Sequence, residues 1–256
     1  MVMDSTFDQL LDLALAQELT GWDFTWLNAR TVEDPLPWDY EAMARSRMEG
    51  TQVILDVDTG GGELFSRLGP FPMVTWATEG YPPNVAVARA RLTPLGIQVA
   101  DVSELSGLLP FIDDTFDLIL NRHGGLYADE TERVLHPGGC FFTQQVGGEN
   151  FMELNRALQQ EVSFQYSYCT LDYTVAQLRR AGLQIVQARE IFPHLIFRDI
   201  AGVVFYLKAI PWQIADFTVE KYREPLLRIH QAILHDGGFA VREHRMLVEA
   251  LKSQEM

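Results

Sequence analysis

Residues 53–68, VILDVDTGGGELFSRL, set the strongest limit on what this chain can fold into. Val53, Ile54 and Leu55 form an apolar run that Asp56 closes; Gly60, Gly61 and Gly62 follow, and Leu64, Phe65 and Leu68 fall at helical spacing. The pattern predicts a buried strand, a glycine turn and a short helix. Glycines let the backbone approach a ligand closely, and a helix start behind them offers free N–H groups.

From residue 53 onward strand and helix signals alternate. Strands are expected over 74–78, 97–100, 116–120 and 140–146, and helices over 83–92 and 129–135. The turn Pro137-Gly138-Gly139 precedes the last of these strands. Further on, 150–160, 173–181, 200–207 and 219–234 read as helices, and 183–186 and 245–250 as strands. Such alternation predicts an α/β fold with a mostly parallel sheet, helices on both faces, and a ligand at the carboxyl ends of the strands. The apolar run 200–207 is expected to be core or an interface, and oligomeric state is not readable. Before the glycine stretch, 4–19 and 39–49 predict helices, and 21–40 carries Trp22, Phe24, Trp26, Trp38 and Tyr40. No repeat or linker divides the rest, so the expected organisation is an N-terminal segment, 1–50, and one main domain, 51–256.

The charge balance narrows the partners. With 20 Lys and Arg against 35 Asp and Glu, the net charge is −15. A phosphate-binding groove needs a basic patch, and the pairs Arg89/Arg91 and Arg179/Arg180 read as solvated helix faces, so nucleic acid is disfavoured as a partner. Cys140 and Cys169 form no CxxC pair and no zinc spacing. No metal site is expected. The first residues carry no positive leader, and no apolar run approaches the roughly 18 residues of a membrane span. A cytoplasmic location and no membrane partner are the expectation.

The glycine turn itself is selective. A nicotinamide dinucleotide site wants G-x-G-x-x-G, and Phe65 stands where the third glycine belongs. A P-loop ends in G-K-S/T, whereas this turn ends Gly62-Glu63, and Glu63 would repel phosphate. A nucleoside without phosphates suits it better. At this point Leu55-Asp56-Val57-Asp58-Thr59-Gly60-Gly61-Gly62-Glu63 resembles motif I of class I S-adenosylmethionine-dependent methyltransferases, D-x-G-x-G-x-G, with Asp58 in the first glycine position. Glu79 lies 23 residues after Asp56, where the family places its ribose-binding acid. Asp101-Val102 follows the third strand, where the family has an adenine-contacting acid; the alternative is a helix N-cap with Glu104. Residues 109–119 resemble the family's LPF-x-D…FDLI stretch, and 132–139 its E-R-V-L-x-P-G-G turn. The resemblance covers residues 51–146 and is similar to the type 11 methyltransferases.

That resemblance implies a Rossmann-like, doubly wound sheet of seven strands, the last antiparallel, with an N-terminal helical extension. It implies S-adenosylmethionine as cofactor, with Asp56, Asp58, Gly60, Gly62, Glu79, Asp101, Val102 and Asn121 holding it. It implies methyl transfer by in-line displacement to a small-molecule acceptor; an RNA base methyltransferase and a catalytically inactive cofactor-binding protein are the alternatives. Asp58 is expected either to pair with the cofactor's ammonium or to repel its carboxylate. His123 is the candidate base, with an ordinary pKa near 6.5, or else merely shapes the pocket; Tyr127 and Glu149 are further candidates. Trp22, Trp26, Asn28, Arg30 and Trp38 are expected to form a lid, with Glu149, Tyr166, Tyr168 and Tyr173 on the acceptor side.

Overall fold

The structure is a computed structural model that describes residues 5–19, 22–159, 161–162 and 164–254. Residue 4 of the first expected helix, Gly21 of the aromatic segment and Gln160 of the expected helix 150–160 lie outside the described residues. In chain order the elements are α1 (Ser5–Ala16), β1 (Thr31–Glu33), α2 (Tyr40–Met48), β2 (Val53–Val57), β3 (Val74–Glu79), α3 (Pro82–Leu92), β4 (Gln98–Asp101) and β5 (Phe116–Arg122). There follow α4 (Ala128–Val134), β6 (Leu135–Val146), α5 (Met152–Leu158), α6 (Leu171–Arg180), β7 (Gln184–Ile191), β8 (His194–Phe197), α7 (Ile200–Ala209), α8 (Arg223–Asp236), β9 (Phe239–Arg242) and β10 (Arg245–Leu251).

The chain forms two compact units. One comprises Pro37–Val146, Cys169–Glu190 and the described part of Arg245–Met256. It holds a seven-stranded sheet in the order β4-β3-β2-β5-β6-β10-β7. Strands β2 to β6 pair in parallel, and β10 runs antiparallel to β6 with Arg245 opposite Val146. The fold is thus the Rossmann-like, doubly wound α/β arrangement. Central strands read as apolar runs because both faces are covered: Ile54, Leu55, Leu118, Ile119 and Leu120 are fully buried.

One local expectation is corrected. No helix follows the glycine turn; the chain makes only a three-residue 3-10 turn, Phe65–Arg67. Pro70 and Pro72 come next, and proline neither donates to a helix nor tolerates a helical residue before it. Phe65 is buried against the edge of Phe71, so its apolar spacing reports packing rather than a helix face.

The second unit comprises the described parts of Met1–Leu36, Gly147–Tyr168 and Ile191–His244. The units therefore do not divide at residue 50: α2 belongs with the large sheet. In the second unit Phe7, Leu11 and Ala14 of α1 are buried in one core with α7, eight of whose ten residues are buried. The apolar run at 200–207 is therefore core of this unit. A small antiparallel sheet, β1-β8-β9, completes it. These three short strands have no counterpart in the sequence expectation. No helix among the described residues is long and apolar enough to cross a membrane.

Candidate functional site

Loops from the carboxyl ends of β2, β3 and β5 build the site, all within the large-sheet unit. After β2 the backbone turns left-handed at Asp58 (φ 56°), Gly60 (φ 65°) and Gly62 (φ 75°). The Thr59 N–H donates to the Thr78 carbonyl (2.9 Å) and the Gly62 N–H to the Thr59 carbonyl (3.1 Å), curling the turn against β3. A Cβ on Gly62 would stand 2.8 Å from Cγ of Leu92, so the close approach this glycine permits is to α3. Gly62→Ala is therefore expected to destabilise the fold by about 2–4 kcal/mol, combining backbone strain with overpacking. Chemical denaturation checks this; a loss under about 0.5 kcal/mol would contradict the packing. Arg91 donates to the Gly61 carbonyl and pairs with Glu63 at 2.5 Å, so the charge of Glu63 is largely answered within the protein.

Three carboxylates gather around this turn. Glu79, 5% exposed, accepts the Tyr81 N–H at 2.6 Å, and the Gly60 and Gly80 N–H groups also serve it. Burial, with the Asp58 charge, raises its pKa in spite of these donors. Asp56 is 7% exposed, and burial, reinforced by the charges of Asp58 and Glu79, lifts it to about 7. Burial also raises Asp58. Its carboxylate accepts the Gly125 N–H at 2.7 Å and the Tyr127 hydroxyl, tying the turn after β2 to the loop after β5. Gly124 makes room for this tie, since a Cβ there would lie 2.7 Å from the Asp58 Cβ.

Beyond Glu79 the chain lines a cavity of about 210 Å³ whose walls include Gly80, Val102, Ser103, Leu109 and Tyr127. The Val102 N–H donates to the Glu79 carbonyl at 3.0 Å. Asp101 is exposed and accepts the Ser103 N–H (3.0 Å) and hydroxyl (2.6 Å), bonds that lower its pKa. No helix begins there, so the N-cap alternative with Glu104 is not realised.

Asn121 is fully buried, and its side chain is committed to the protein. It donates to the Val57 carbonyl (3.1 Å) and accepts from the Thr143 hydroxyl (2.9 Å) and the Gln145 amide. Trp38 is not on a lid: it is buried, and its indole N–H donates to Gln144 Oε1 at 2.8 Å. His123 has a left-handed backbone (φ 60°), and its Nε2 lies 3.2 Å from Gln144 Nε2. Water reaches the ring, yet protein crowds it on its other sides. This crowding, with the charges of Arg122 and Arg245, holds its pKa well below 6.5.

The remaining expected acceptor-side residues belong mostly to the other unit, and their described contacts lie within it. Trp22 stacks on Phe24 and meets the edge of Trp212. Trp26 packs on Phe205 beneath the Arg30 guanidinium, and Arg30 pairs with Asp199. Asn28 and Glu149 are exposed, and the Glu149 N–H donates to His244 Nδ1 at 3.2 Å. Tyr166 and Tyr168 are exposed in that unit, and Tyr173 is exposed on α6 of the large-sheet unit.

No protein-family model matches the chain, and no curated protein matches it. Solved structures do. A candidate methyltransferase of Bacillus halodurans is 21% identical with a TM-score of 0.59, over 83% of this chain and 97% of that one. The 4+2 cyclase SpnF is 16% identical, TM-score 0.53, over 84% and 81%. Phosphoethanolamine N-methyltransferase 2 of Haemonchus contortus, solved with phosphomonomethylethanolamine and S-adenosylhomocysteine, is 15% identical, TM-score 0.50, over 85% and 53%. The strand order, the antiparallel β10 and these neighbours together give the chain the class I methyltransferase fold.

Proposed function

We propose that the chain transfers the methyl group of S-adenosylmethionine to a small-molecule acceptor. The observation that carries this reading is the succession at the carboxyl ends of β2, β3 and β4. A glycine turn, the buried Glu79 carboxylate and the cavity beside Val102 follow one another there. The residues fit a nucleoside. A carboxylate offers about four acceptor positions, and three N–H groups occupy Glu79, which leaves one for a ribose hydroxyl. Val102 and Leu109 give a flat base apolar walls. At about 210 Å³ the cavity is smaller than the roughly 300–1,000 Å³ of typical ligand sites, the size for the nucleoside end of the cofactor alone.

Bound S-adenosylmethionine would supply an electrophilic methyl group on a sulfonium; the protein's part is to bind and orient. Asp58 and Glu79 make the turn negative, a field suited to a cation. The net charge of −15 disfavours an RNA acceptor. Asp101, Val102 and the glycine turn remain assigned to the cofactor on their sequence positions.

Asp58 favours a second reading, cofactor binding without methyl transfer. Its carboxylate spans the β2 and β5 loops where motif I has glycine, and a fold alone does not fix a reaction. Calorimetry with S-adenosylmethionine and S-adenosylhomocysteine tests the cofactor. We expect micromolar dissociation constants; absence of heat and of a thermal shift at millimolar concentration would end the proposal. Turnover of bound cofactor against a panel of acceptors then separates the two readings.

A further inference from the structure

Tyr127, in the loop between β5 and α4, touches the loops after β2, β4 and β5 and lines the cavity beside Val102. Its ring packs on Gly107, where the backbone is left-handed (φ 89°) and a Cβ would stand 3.0 Å from the ring. It also covers Gly125, where a Cβ would stand 2.6 Å from the phenol oxygen. The same Gly125 donates its N–H to Asp58 Oδ2 at 2.7 Å, and the Tyr127 hydroxyl donates to that carboxylate. Asp58 is held from behind as well, since its own N–H donates to the Thr78 hydroxyl at 3.2 Å. Burial, with the Asp58 charge and this bond, pushes the Tyr127 phenol up to about 12. The hydroxyl therefore keeps its proton and is not placed to act as a base.

This clasp stands where a ligand longer than a nucleoside would have to extend. The sheet order is β4-β3-β2-β5. Val102 follows β4, Glu79 ends β3, Asp58 follows β2 and Gly125 follows β5. A ribose carries its base and its 5′ group on opposite sides of the ring. With the base beside Val102 and the ribose hydroxyls at Glu79, the 5′ group next meets the loops after β2 and β5. The bonds from Gly125 and Tyr127 to Asp58 join those two loops. Tyr127 is part of the wall of the cavity of about 210 Å³, whereas Asp58 is not.

We infer that Tyr127 is a specificity-determining residue that sets the length of the ligand: held on Asp58 it admits a nucleoside, and a 5′ amino-acid tail enters only when the hydroxyl leaves that carboxylate. The inference rests on the proposed nucleoside site for the class of the ligand; the clasp itself is built from protein groups alone. A hydrogen bond to a charged acceptor is of the stronger kind. A ligand that needs a minor conformer binds more weakly in proportion to the fraction of molecules in it. Ligands with a tail carry that penalty and ligands without one do not. When Tyr127 leaves, it vacates an acceptor position on Asp58, which the ammonium of an amino-acid tail is able to fill. Tyr127→Phe keeps a ring between Gly107 and Gly125 and removes the bond.

The test compares the full chain with its Tyr127→Phe variant by calorimetry, using two ligands that differ only beyond the sulfur. 5′-Methylthioadenosine ends there in a methyl group, and S-adenosylhomocysteine carries the amino-acid tail. We expect Tyr127→Phe to tighten S-adenosylhomocysteine by about tenfold, the scale of one hydrogen bond to a charged group, and to change 5′-methylthioadenosine by less than about twofold. The second ligand also reports an intact pocket, which a merely structural role for Tyr127 would not leave unchanged. S-adenosylhomocysteine binding equally or more weakly in the variant overturns the inference, as does loss of both ligands there. A wild type that binds S-adenosylhomocysteine but not 5′-methylthioadenosine overturns it too. In each of these cases cofactor binding by the wild type leaves the methyltransferase reading standing. Binding of neither ligand by either protein removes that reading, and the inference with it.

Discussion

Replacing Asp56 with asparagine is expected to stabilise the folded chain at pH 8, and to do so less as the pH falls. The Asp56 carboxyl is 7% exposed at the end of β2, with Asp58 and Glu79 near it, and its pKa is lifted from 3.8 to about 7. A group whose folded pKa is raised gives stability that is complete below the unfolded value and lost as the pH rises through the folded one. For Asp56 the loss runs from about pH 4 to about pH 7. The asparagine variant has no such loss, so its advantage over the wild type should grow by roughly 3 kcal/mol between pH 5 and pH 8 and then level off. That corresponds to roughly 5–10 °C in Tm for a chain of this size. Exposed acids titrate equally in both proteins and cancel in the difference. Melting curves of the two proteins across pH 5 to 9 make the measurement, and a difference that does not change with pH would show that Asp56 is not held protonated. If the amide variant is the more stable, the carboxylate at position 56 is kept at a cost to the fold, as perturbed acids in clefts commonly are.

The parts of this site that were legible in the sequence are those with a local cause. Asp56 and Glu79 each close an apolar run, so their places at the carboxyl ends of β2 and β3 followed from strand periodicity. Phe65, which stands where a dinucleotide turn would have its third glycine, is buried. What stayed hidden depends on contacts between distant residues. Asp58 finds Gly125 across 67 residues, and nothing in either neighbourhood announces the bond. Trp38 read as a lid aromatic because aromatics near a ligand site often stack; its actual role depends on Gln144, 106 residues away, being turned to the same face of the sheet. His123 reads as a base from its ordinary pKa; Arg122 beside it is visible in the sequence, but the amide on Nε2 and the Arg245 guanidinium are tertiary facts. The 3-10 turn at Phe65–Arg67 is the exception, since Pro70 and Pro72 were visible and outweigh the apolar spacing that suggested a helix.

Glu79→Gln is expected to weaken cofactor affinity by roughly 10- to 150-fold, the equivalent of about 1.5–3 kcal/mol for one hydrogen bond to a charged group. The carboxylate has two tasks that the amide cannot do together. It accepts backbone N–H groups from Gly60, Gly80 and Tyr81, which orients the glycine turn, and it keeps an acceptor position for a ribose hydroxyl. An amide has one acceptor oxygen. Turned toward the backbone, that oxygen leaves an N–H₂ group for the ribose; turned outward, it leaves three N–H donors facing an N–H₂. Melting curves of the ligand-free variant separate lost affinity from any loss of stability. Ligand fragments localise the effect. Adenosine should lose affinity with the full cofactor, whereas 2′,3′-dideoxyadenosine should bind wild type and variant alike, because it has no hydroxyl for Glu79 to accept. An equal loss for the dideoxy nucleoside would place the defect in the turn that Gly60 and Tyr81 share with this carboxylate. An unchanged adenosine affinity would remove Glu79 from the ribose site altogether, and the cavity beside Val102 would then need another ligand.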